Sequence, residues 1–270
     1  MAINDIPLVS VIVTTYNRKN LLKNTMDSIL NQTYKNFELI VVDNCSDYDF
    51  ISQIKSFNDE RIRLFQNAND GIIAVNRNFG IKQSKGKYIA FCDDDDIWMP
   101  QKLEKQMKCF DNSDIDMVFT MQKQFEATSI FSNYFGIGPL PIRVDTSTKG
   151  LINNNCIPLS TTLVRKKVLD NIGVFNENKS YIAIEDNDLW IRISKVTSII
   201  FLPKVLVYHR VHKKNIYENI SNINISLNNM KKDYGYKSSW SAFLFIKQNK
   251  IYFLLRNILN KIYELTFHSL

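Results

Sequence analysis

A continuously apolar and β-branched run near the start of the chain, LVSVIVTT at 8–15, is the feature that most constrains the fold. Such a run is typical of a strand that is buried on both faces of a parallel sheet. An amphipathic helix that Asn17 can cap follows it from about Arg18. Further predicted strands lie at 37–44, 61–65 and 87–92, with a helix over about 73–84. Strands that alternate with helices imply an α/β fold, a mostly parallel sheet flanked by helices.

Length and composition are those of an ordinary globular protein. The chain has 270 residues, of which 45% are hydrophobic, enough for one large domain or for a domain with an appendage. The net charge of +7 favours anionic partners such as nucleotides or lipid headgroups. No nucleic-acid-binding motif accompanies this charge, and we expect no nucleic-acid partner. No basic segment precedes the first apolar run and no stretch is long enough to cross a bilayer, so we expect a cytoplasmic protein.

Polar residues follow three of the predicted strands at the point where each strand ends. They are Thr14 to Asn17 after the first strand, Asp43 and Asn44 after the second, and Asp93 to Asp96 after a later one. Ligands of parallel sheets bind beyond the carboxyl ends of the strands, so we expect these residues to face one crevice. The dinucleotide fingerprint GxGxxG and the phosphate loop GxxxxGKS/T are both absent, so a nucleotide must be held in another way.

Four consecutive aspartates in FCDDDDIW concentrate negative charge at one strand end. Adjacent carboxylates repel one another unless a cation or several donors compensate them. Alternate side chains of an extended backbone point the same way, so Asp93 and Asp95 can reach one divalent ion while Asp94 and Asp96 turn to other partners. Ligation by oxygen alone favours Mg²⁺ or Mn²⁺. The alternative is a solvated acidic loop in which Asp96 caps a helix that starts near Pro100.

Five segments in register resemble family 2 glycosyltransferases, in particular bacterial enzymes that build surface polysaccharides such as O-antigen and capsule. The segments are VSVIVTTYNR, ELIVVDNCSD, NDGIIAVNRNFGI, GKYIAFCDDDDIW, and GVFNE with EDNDLWIR. The resemblance runs from about residue 8 to about 215. It implies the GT-A fold, with a catalytic domain over 1–215 and a C-terminal helical extension over 216–270.

The resemblance implies a donor site at the ends of the first strands. Thr14, Tyr16 and Arg18 are expected along the nucleoside and its phosphates. Asp43 is expected to accept a hydrogen bond from uracil or ribose, and Arg77 of NRNFGI is expected near the diphosphate. Structural alternatives are simple packing for Tyr16, a turn for Asp43, and pairing with an acid on a helix surface for Arg77.

The aspartate cluster matches the DxD motif of that family. The resemblance implies that Asp93 and Asp94 contact the donor and that Asp93 and Asp95 bind Mn²⁺ or Mg²⁺, which neutralises charge on the departing UDP. By the same resemblance His212 of YHRVH is a third metal or phosphate contact, although a lone histidine is commonly structural. His209 stands where an aromatic residue is commoner, and we assign no role to it.

Glu185 and Asp186 match the ED pair of the family, in which the aspartate is usually the general base. The base removes a proton from the acceptor hydroxyl on the face opposite the leaving UDP, so that the anomeric configuration inverts. In the structural alternative, Glu185, Asp186 and Asp188 occupy the first turn of a helix, where the helix dipole favours acids. We accept that alternative for Asp188 only.

The predicted activity is therefore metal-dependent transfer of a sugar from a UDP-sugar to a saccharide acceptor. Related enzymes imply an acceptor linked to a lipid diphosphate. A nucleotidyltransferase that forms sugar nucleotides would share the alternating strands, but it should carry a glycine-rich signature that TTYNRKN lacks. A catalytically inactive binding protein of the same fold is expected to have lost the acids that this chain retains.

The segment at about 237–267 lies outside the resemblance and places apolar residues at helical spacing with basic residues between them. This basic amphipathic pattern is compatible with a helix that lies on an anionic membrane surface. A helix that packs its apolar stripe on the catalytic domain gives the same pattern. Membrane contact would place the protein on the cytoplasmic face of the inner membrane.

Overall fold

The computed structural model describes residues 8–111, 114–126, 135–136, 144–211 and 220–236. Its strands are β1 Val9–Thr15, β2 Phe37–Asp43, β3 Ile62–Gln66, β4 Tyr88–Asp93, β5 Ile97–Trp98, β6 Ile115–Glu126, β7 Phe135–Gly136, β8 Leu163–Arg165 and β9 Ser198–Val211. Its helices are α1 Lys19–Leu30, α2 Phe50–Lys55, α3 Ile73–Gln83, α4 Lys102–Met107, α5 Thr148–Asn153, α6 Lys166–Ile172, α7 Glu185–Ser194 and α8 Ile220–Asp233. The alternation predicted from the sequence is present through β4.

The first four strands form the parallel part of the sheet, in the order β3-β2-β1-β4. Thr14 of β1 pairs with Val42 of β2 on one side and with Asp93 of β4 on the other. The carboxyl ends of β1, β2 and β4 therefore lie side by side, as the polar residues at the strand ends predicted. These strands begin and end within one residue of their predicted positions.

Side chains of the parallel strands alternate between two hydrophobic clusters, one on each face of the sheet. Val11 and Leu39 pack with α1, α2 and α4 on one face. Ile12 and Phe91 pack with α3 and α7 on the other face. Helices thus cover both faces, which is why the sequence of these strands is continuously apolar and not alternating.

Beyond β4 the sheet continues in mixed directions, in the order β4-β8-β6-β9-β5. Strand β8 is antiparallel to both β4 and β6, whereas β6 is parallel to β9. The sequence predicts a loosened region from about 121 to 158, but β6 continues as a strand to Glu126. Side chains at 121–125 are only half-buried, so the apolar run that reveals a strand buried on both faces is missing here.

Asn17 does not cap α1, contrary to the prediction. The helix begins at Lys19, and Arg18 before it makes no side-chain capping hydrogen bond. Asn17 instead has a φ of 53°, in the left-handed region that asparagine tolerates better than most residues. Its backbone N–H donates to Ser46 Oγ at 2.8 Å, and its side-chain oxygen accepts from the Asp47 N–H at 2.9 Å. Asn17 thereby joins the loops that follow β1 and β2.

Gly80 allows α3 to pack closely on β1. A Cβ atom at this position would lie 2.6 Å from Ile12 Cγ2, a separation that real Cβ contacts do not adopt. Asn76 and Arg77 lie on the same helix and are buried. The close approach therefore fixes the helix that carries Arg77 against the sheet.

Helix α8 is held against the part of the chain that precedes and forms α7. The Tyr181 hydroxyl donates to Asp233 at 2.6 Å, and the Tyr234 hydroxyl donates to Asp188 at 2.8 Å. The predicted domain boundary at 215/216 and the predicted amphipathic segment at about 237–267 lie outside the described residues. Of the helices that the structure describes, none combines the length and the apolar character that spanning a bilayer requires.

Candidate active site

A cleft of about 210 Å³ lies beyond the carboxyl end of β4, between α3, the start of α7, and β9. Its polar side chains are Arg77, Asp93, Asp96, Gln122, Ser160, Glu185, Asp186 and His209. The cleft therefore brings together members of the aspartate cluster, the ED pair and the arginine of NRNFGI, all of which the sequence singled out. It also contains a histidine to which no role was assigned.

The first three aspartates of the cluster are paired with arginines. Asp93 accepts from Arg77 Nη2 at 3.0 Å. Asp94 lies 3.4 Å from Arg18 Nη1, and Asp95 forms an ion pair with the same nitrogen. Arg18 thus holds Asp94 and Asp95 together. Asp93, which was expected to point the same way as Asp95, turns toward α3 instead.

Asp96 does not cap the following helix, so this part of the alternative interpretation of the cluster is wrong. Helix α4 begins at Lys102, and Gln101 before it makes no side-chain capping hydrogen bond. Asp96 is 1% exposed, and its Oδ1 lies 3.0 Å from His209 Nδ1 and accepts from the Arg210 N–H at 3.1 Å. The buried carboxylate therefore ties the loop after β4 to β9.

Burial makes ionisation of the aspartate cluster costly. It raises the pKa of Asp94 to about 7, and the neighbouring Arg18 and the hydrogen bond from Thr15 offset it only in part. Burial also raises the pKa of Asp93, against the opposing charge of Arg77. Additional positive charge beside Asp94 would favour its ionised form at neutral pH, a property expected of a cation-binding site.

Arg77 bridges two motifs that are distant in the sequence. Its Nη1 lies 2.5 Å from Glu185 Oε1, and its Nη2 lies 3.0 Å from Asp93 Oδ1. Its guanidinium carbon lies 5.6 Å from the centroid of the Phe175 ring. Asn78 positions Phe175 by donating to its carbonyl and accepting from its N–H. The NRNFGI and GVFNE segments are thereby joined. Arg77 pairs with acids, as in its structural alternative, although it is buried and not on a helix surface, and its contact with a diphosphate stays a prediction.

The ED pair lies in the first turn of α7, as the structural alternative supposed, and Asp186 also lines the cleft. Asp186 accepts from the Asn187 N–H at 2.6 Å and from Asn155 Nδ2 at 3.4 Å. Its pKa is raised to about 7, first by burial and then by the charge of Glu185. Ala183, which lines the cleft, has a φ of 68°, and strained backbone of this kind is common at functional sites. A carboxylate with a pKa near neutrality inside a cleft suits a general base.

Asp188 has the structural role that the sequence favoured. Its Oδ2 accepts from Arg192 Nε at 2.9 Å, and its Oδ1 accepts from the Tyr234 hydroxyl at 2.8 Å. The residue is buried and does not line the cleft. Both of its carboxylate oxygens therefore hold α7 in place.

The other predicted donor contacts lie at the ends of β1 and β2. Thr14 is buried at the end of β1, whereas Tyr16 beyond it is 55% exposed, so its ring is available for stacking. Asp43 is fully buried, and it accepts from the Ser46 N–H at 2.9 Å and from Gln66 Nε2 at 3.1 Å. The turn that was the alternative for Asp43 is thus present. A contact between Asp43 and a nucleoside stays a prediction.

The acids of the cluster fit a hard divalent ion by their chemistry. Mg²⁺ prefers oxygen ligands, and it commonly takes one or two carboxylates and completes its shell with water and substrate phosphates. Within the described ranges, no three or more His, Cys, Asp or Glu side chains are grouped so that they could hold an ion. The predicted third contact, His212, lies outside the described residues. In this structure Asp93 and Asp95 pair with different arginines, and their joint ligation of an ion stays a prediction.

Three side chains of the site were not predicted individually. Thr15 donates to Asp94 at 2.7 Å, His209 pairs with Asp96, and Asn155 contacts Asp186. Thr15 had a signal, because it ends a buried strand beside Thr14. His209 and Asn155 reach the site from β9 and from the loop after α5, and no spacing in the sequence indicates these long-range contacts.

The sequence relatives of this chain are glycosyltransferases. The family described as "Glycosyl transferase family 2" matches residues 10–173. An uncharacterized glycosyltransferase of Rickettsia felis is 31% identical over 252 residues, which are 88% of this chain and 38% of that protein. The UDP-Glc:alpha-D-GlcNAc-diphosphoundecaprenol beta-1,3-glucosyltransferase WfaP of Escherichia coli is 32% identical over 235 residues, which are 86% of this chain and 88% of that protein.

Solved structures share the fold. S. aureus TarS 1-349 in complex with UDP-GlcNAc matches with a TM-score of 0.67 at 20% identity, over 87% of this chain and 68% of that chain. The mannosyltransferase PcManGT from Pyrobaculum calidifontis, in complex with GDP-Man and Mn²⁺, matches with a TM-score of 0.60 at 15% identity, over 92% of this chain and 81% of that chain. These likenesses confirm the predicted GT-A fold. The family match over residues 10–173 and the relatives at 31% and 32% identity show that the chain belongs to glycosyl transferase family 2.

Proposed function

We propose that the protein transfers a sugar from a UDP-sugar to a saccharide acceptor linked to a lipid diphosphate, with inversion at the anomeric carbon. The observation that carries this proposal is the Arg77 bridge, which joins Asp93 of the aspartate cluster to Glu185 of the ED pair. Acids suited to a metal-bound diphosphate thereby share one cleft with Asp186, a base whose pKa is about 7. Displacement at a sugar carbon needs acids that hold the leaving diphosphate and its ion, and it needs a base that takes the proton of the acceptor hydroxyl.

The aspartate cluster serves the donor in this proposal. A divalent ion bound there supplies the positive charge that stabilises the departing UDP. Asp93 and Asp95 are the residues that would hold it. Arg18, which contacts Asp94 and Asp95, supplies positive charge on the side of the cluster nearest β1. Tyr16 offers the exposed ring on which the base can stack.

Asp186 serves the acceptor. Its carboxylate takes the proton of the acceptor hydroxyl as that oxygen attacks the anomeric carbon. Hydrogen bonds from the Asn187 N–H and from Asn155 Nδ2 orient the carboxylate for this transfer. The attacking oxygen enters on the face opposite the leaving UDP, and the product therefore has the inverted configuration.

The identity of donor and acceptor is supported by the relatives. The name of WfaP gives UDP-Glc as its donor and GlcNAc-diphosphoundecaprenol as its acceptor. TarS was solved with UDP-GlcNAc. PcManGT was solved with GDP-Man, but it is 15% identical to this chain, whereas WfaP is 32% identical. We therefore choose a uridine donor and a lipid-diphosphate acceptor for this protein.

The donor half of the proposal is tested by calorimetric titration of the purified protein with UDP, with and without Mn²⁺. We expect binding that requires Mn²⁺ and that weakens at least about tenfold in Asp95→Asn, since a metal ligand is lost. Asp170→Asn is the matched control, because Asp170 is an exposed acid on α6. Metal-independent binding that survives in Asp95→Asn would contradict the proposed site.

The acceptor half is tested by incubation with UDP-Glc or UDP-GlcNAc and a synthetic GlcNAc-diphospholipid. We expect a glycosylated lipid whose new linkage has the anomeric configuration opposite to that of the donor, as read by proton NMR. Retention of the donor configuration would contradict the role of Asp186. Hydrolysis of the donor without transfer would contradict the choice of acceptor.

A further inference from the structure

His209 of β9 brings an imidazole into the cleft that the donor is proposed to occupy. The ring lines the cleft together with Arg77, Asp93 and Asp186, and 36% of its side chain is exposed. On its other side, Nδ1 lies 3.0 Å from Asp96 Oδ1. The imidazole therefore stands between a buried carboxylate and open space.

The buried carboxylate fixes the orientation of the ring. Asp96 Oδ1 accepts from the Arg210 N–H as well as from His209, so the carboxylate is itself held in place. An ionised carboxylate can only accept hydrogen bonds, and Nδ1 must therefore carry the proton of this contact. Nε2 lies on the other side of the ring, and none of the described residues forms a hydrogen bond with it.

The surroundings of His209 favour a second proton on the ring. Burial lowers the pKa of His209, but the hydrogen bond and the charge of Asp96 are the chief causes that raise it overall. With both nitrogens protonated, Nε2 becomes a donor that carries part of a positive charge. Such a donor in a cleft suits an anionic oxygen of a ligand.

The arginines near the cleft are already engaged by protein groups. Arg77 places one terminal nitrogen on Glu185 and the other on Asp93. Arg18 Nη1 contacts Asp94 and Asp95. Of the two basic side chains that line the described cleft, Arg77 has both terminal nitrogens on carboxylates, whereas His209 Nε2 has no hydrogen-bond partner among the described residues.

We infer that His209 donates a hydrogen bond from Nε2 to a β-phosphate oxygen of the bound donor and stabilises the departing nucleoside diphosphate. This inference rests on the proposed function, because it requires a diphosphate beside Asp93 and Asp95. A phosphate is a better partner than a sugar hydroxyl, since charge-assisted hydrogen bonds to oxyanions are the strong ones and their strength grows as charge develops. No covalent bond forms or breaks at His209, and its proton stays on the ring.

The experiment compares UDP with UMP, which lacks the β-phosphate. Dissociation constants for both nucleotides are measured by calorimetry in Mn²⁺ for the wild type, His209→Phe and His209→Gln. Phenylalanine keeps an aromatic ring at this position without a donor, and glutamine keeps a donor without charge. Lys204→Ala is the control, because it removes an exposed cation from the far part of the same strand. Thermal unfolding of each variant reports whether β9 is intact.

We expect His209→Phe to weaken UDP binding about ten- to hundredfold, as loss of a charged hydrogen bond does, and to change UMP binding less than about twofold. His209→Gln should lie between the wild type and His209→Phe, and Lys204→Ala should match the wild type. An equal loss for UDP and UMP in a folded His209→Phe would overturn the inference, since the β-phosphate would then not be the partner.

Three further outcomes are distinguishable from these. Weaker Mn²⁺ binding by His209→Phe without nucleotide, measured by electron paramagnetic resonance, would make His209 a metal ligand and overturn the inference, because a carboxylate-histidine pair also serves metals. Failure of the wild type to bind UDP at all would overturn the proposed function, and this inference with it. Binding of UDP by the wild type with unchanged affinity in His209→Phe would overturn the inference alone.

Discussion

The donor half of the protein, residues 8–98, and the acid–base half, residues 115–236, share one sheet but position their functional groups differently. In the donor half, parallel strands end side by side, so that register alone brings Thr14 next to Asp93. In the acid–base half the strands run in mixed directions, and Asp186 lies at the start of a helix. The donor half thus places its polar groups through topology, whereas the acid–base half places one carboxylate through side-chain contacts.

The two halves meet at the acids. Arg77 of the donor half holds Glu185, Ser160 Oγ accepts from the Asp93 N–H at 3.0 Å, and Asp96 binds His209. Each of these contacts ends on or beside a carboxylate of the cleft. The comparison therefore predicts that changes in the donor half alter binding and that changes at Asp186 and the helix that carries it alter turnover. His209 is the exception in the acid–base half, because we infer that it contacts the donor.

The change that should separate turnover from donor binding most strongly is Asp186→Asn. The amide cannot accept the acceptor's proton, so we expect kcat to fall about a thousandfold, within the range found for general bases. The dissociation constant for UDP should change less than about twofold, because no donor contact is assigned to Asp186. Kinetics at saturating donor and calorimetry with UDP measure the two quantities.

Asp170→Asn is the control for this change, since Asp170 is exposed on the acid–base half and lies outside the cleft. It should leave both quantities at wild-type values. An Asp186→Asn variant that loses UDP affinity and turnover in parallel would contradict the assignment of donor binding and turnover to different parts of the molecule.

Lys102→Met should show how the halves are joined. Lys102 is fully buried, donates to Gln106 at 2.8 Å and lies 3.8 Å from the centroid of the Trp98 ring. Burial lowers its pKa from 10.5 to about 7. Between these pH values Lys102 binds more protons in the unfolded chain than in the folded protein, so the free energy of unfolding rises with pH. Below about pH 7 the buried lysine is charged, and the full cost of burying that charge destabilises the fold. Methionine removes this cost, and we expect about 3 kcal/mol of stabilisation at pH 6, somewhat less than the pKa gap implies.

Chemical denaturation at pH 6 and at pH 10 measures this effect, and the gain should be much smaller at pH 10. Lys108→Met on the neighbouring turn is the control, because that lysine is exposed and a surface ion pair such as the one with Glu104 contributes little to stability. Gln106 also donates to the carbonyls of Val118 and Thr161, so α4 contacts the acid–base half. Destabilisation by Lys102→Met at pH 6 would mean that the ammonium group stabilises this junction.

The donor half could be predicted from the sequence because its signals are local. A strand buried on both faces is a continuous apolar run, and its carboxyl end is marked where the run gives way to Thr14 or Asp93. The aspartate cluster and the ED pair were found through motifs that are contiguous in the chain. Their position in one cleft follows from the GT-A fold that the resemblance implied.

The acid–base half could be predicted less well from the sequence, for two physical reasons. Strand β8 has three residues, too few to show a period, and β6 is half-buried at 121–125, so neither gives an apolar run. The pairings of Asp96 with His209 and of Asp186 with Asn155 join distant parts of the chain. Asp96 is a further example, because the start of the next helix was a plausible local partner for it. The buried carboxylate instead pairs with a distant histidine.

The pH dependence of turnover should isolate the acid–base half. Burial and the charge of Glu185 raise the pKa of Asp186 to about 7, and the base must be ionised to accept a proton. We therefore expect kcat at saturating donor and Mn²⁺ to be constant well above pH 7 and to fall about tenfold per pH unit well below it. Rates between pH 5.5 and 9 with a stable donor measure this profile. A flat profile from pH 6 to 8 would remove Asp186 from the role of base.

The smallest effect should come from Tyr234→Phe, which releases α8 from α7. The Tyr234 hydroxyl donates to Asp188 at 2.8 Å, so its removal should lower the free energy of unfolding by about 1 kcal/mol. Because α7 carries Asp186 two residues before Asp188, we expect kcat to fall by less than about tenfold while UDP affinity stays at the wild-type value. Tyr16→Phe is the stability control, since that ring is 55% exposed. Equal losses in kcat and UDP affinity would instead mean that α8 supports donor binding through α7. The assignment of donor binding to the donor half and of turnover to α7 would then be wrong.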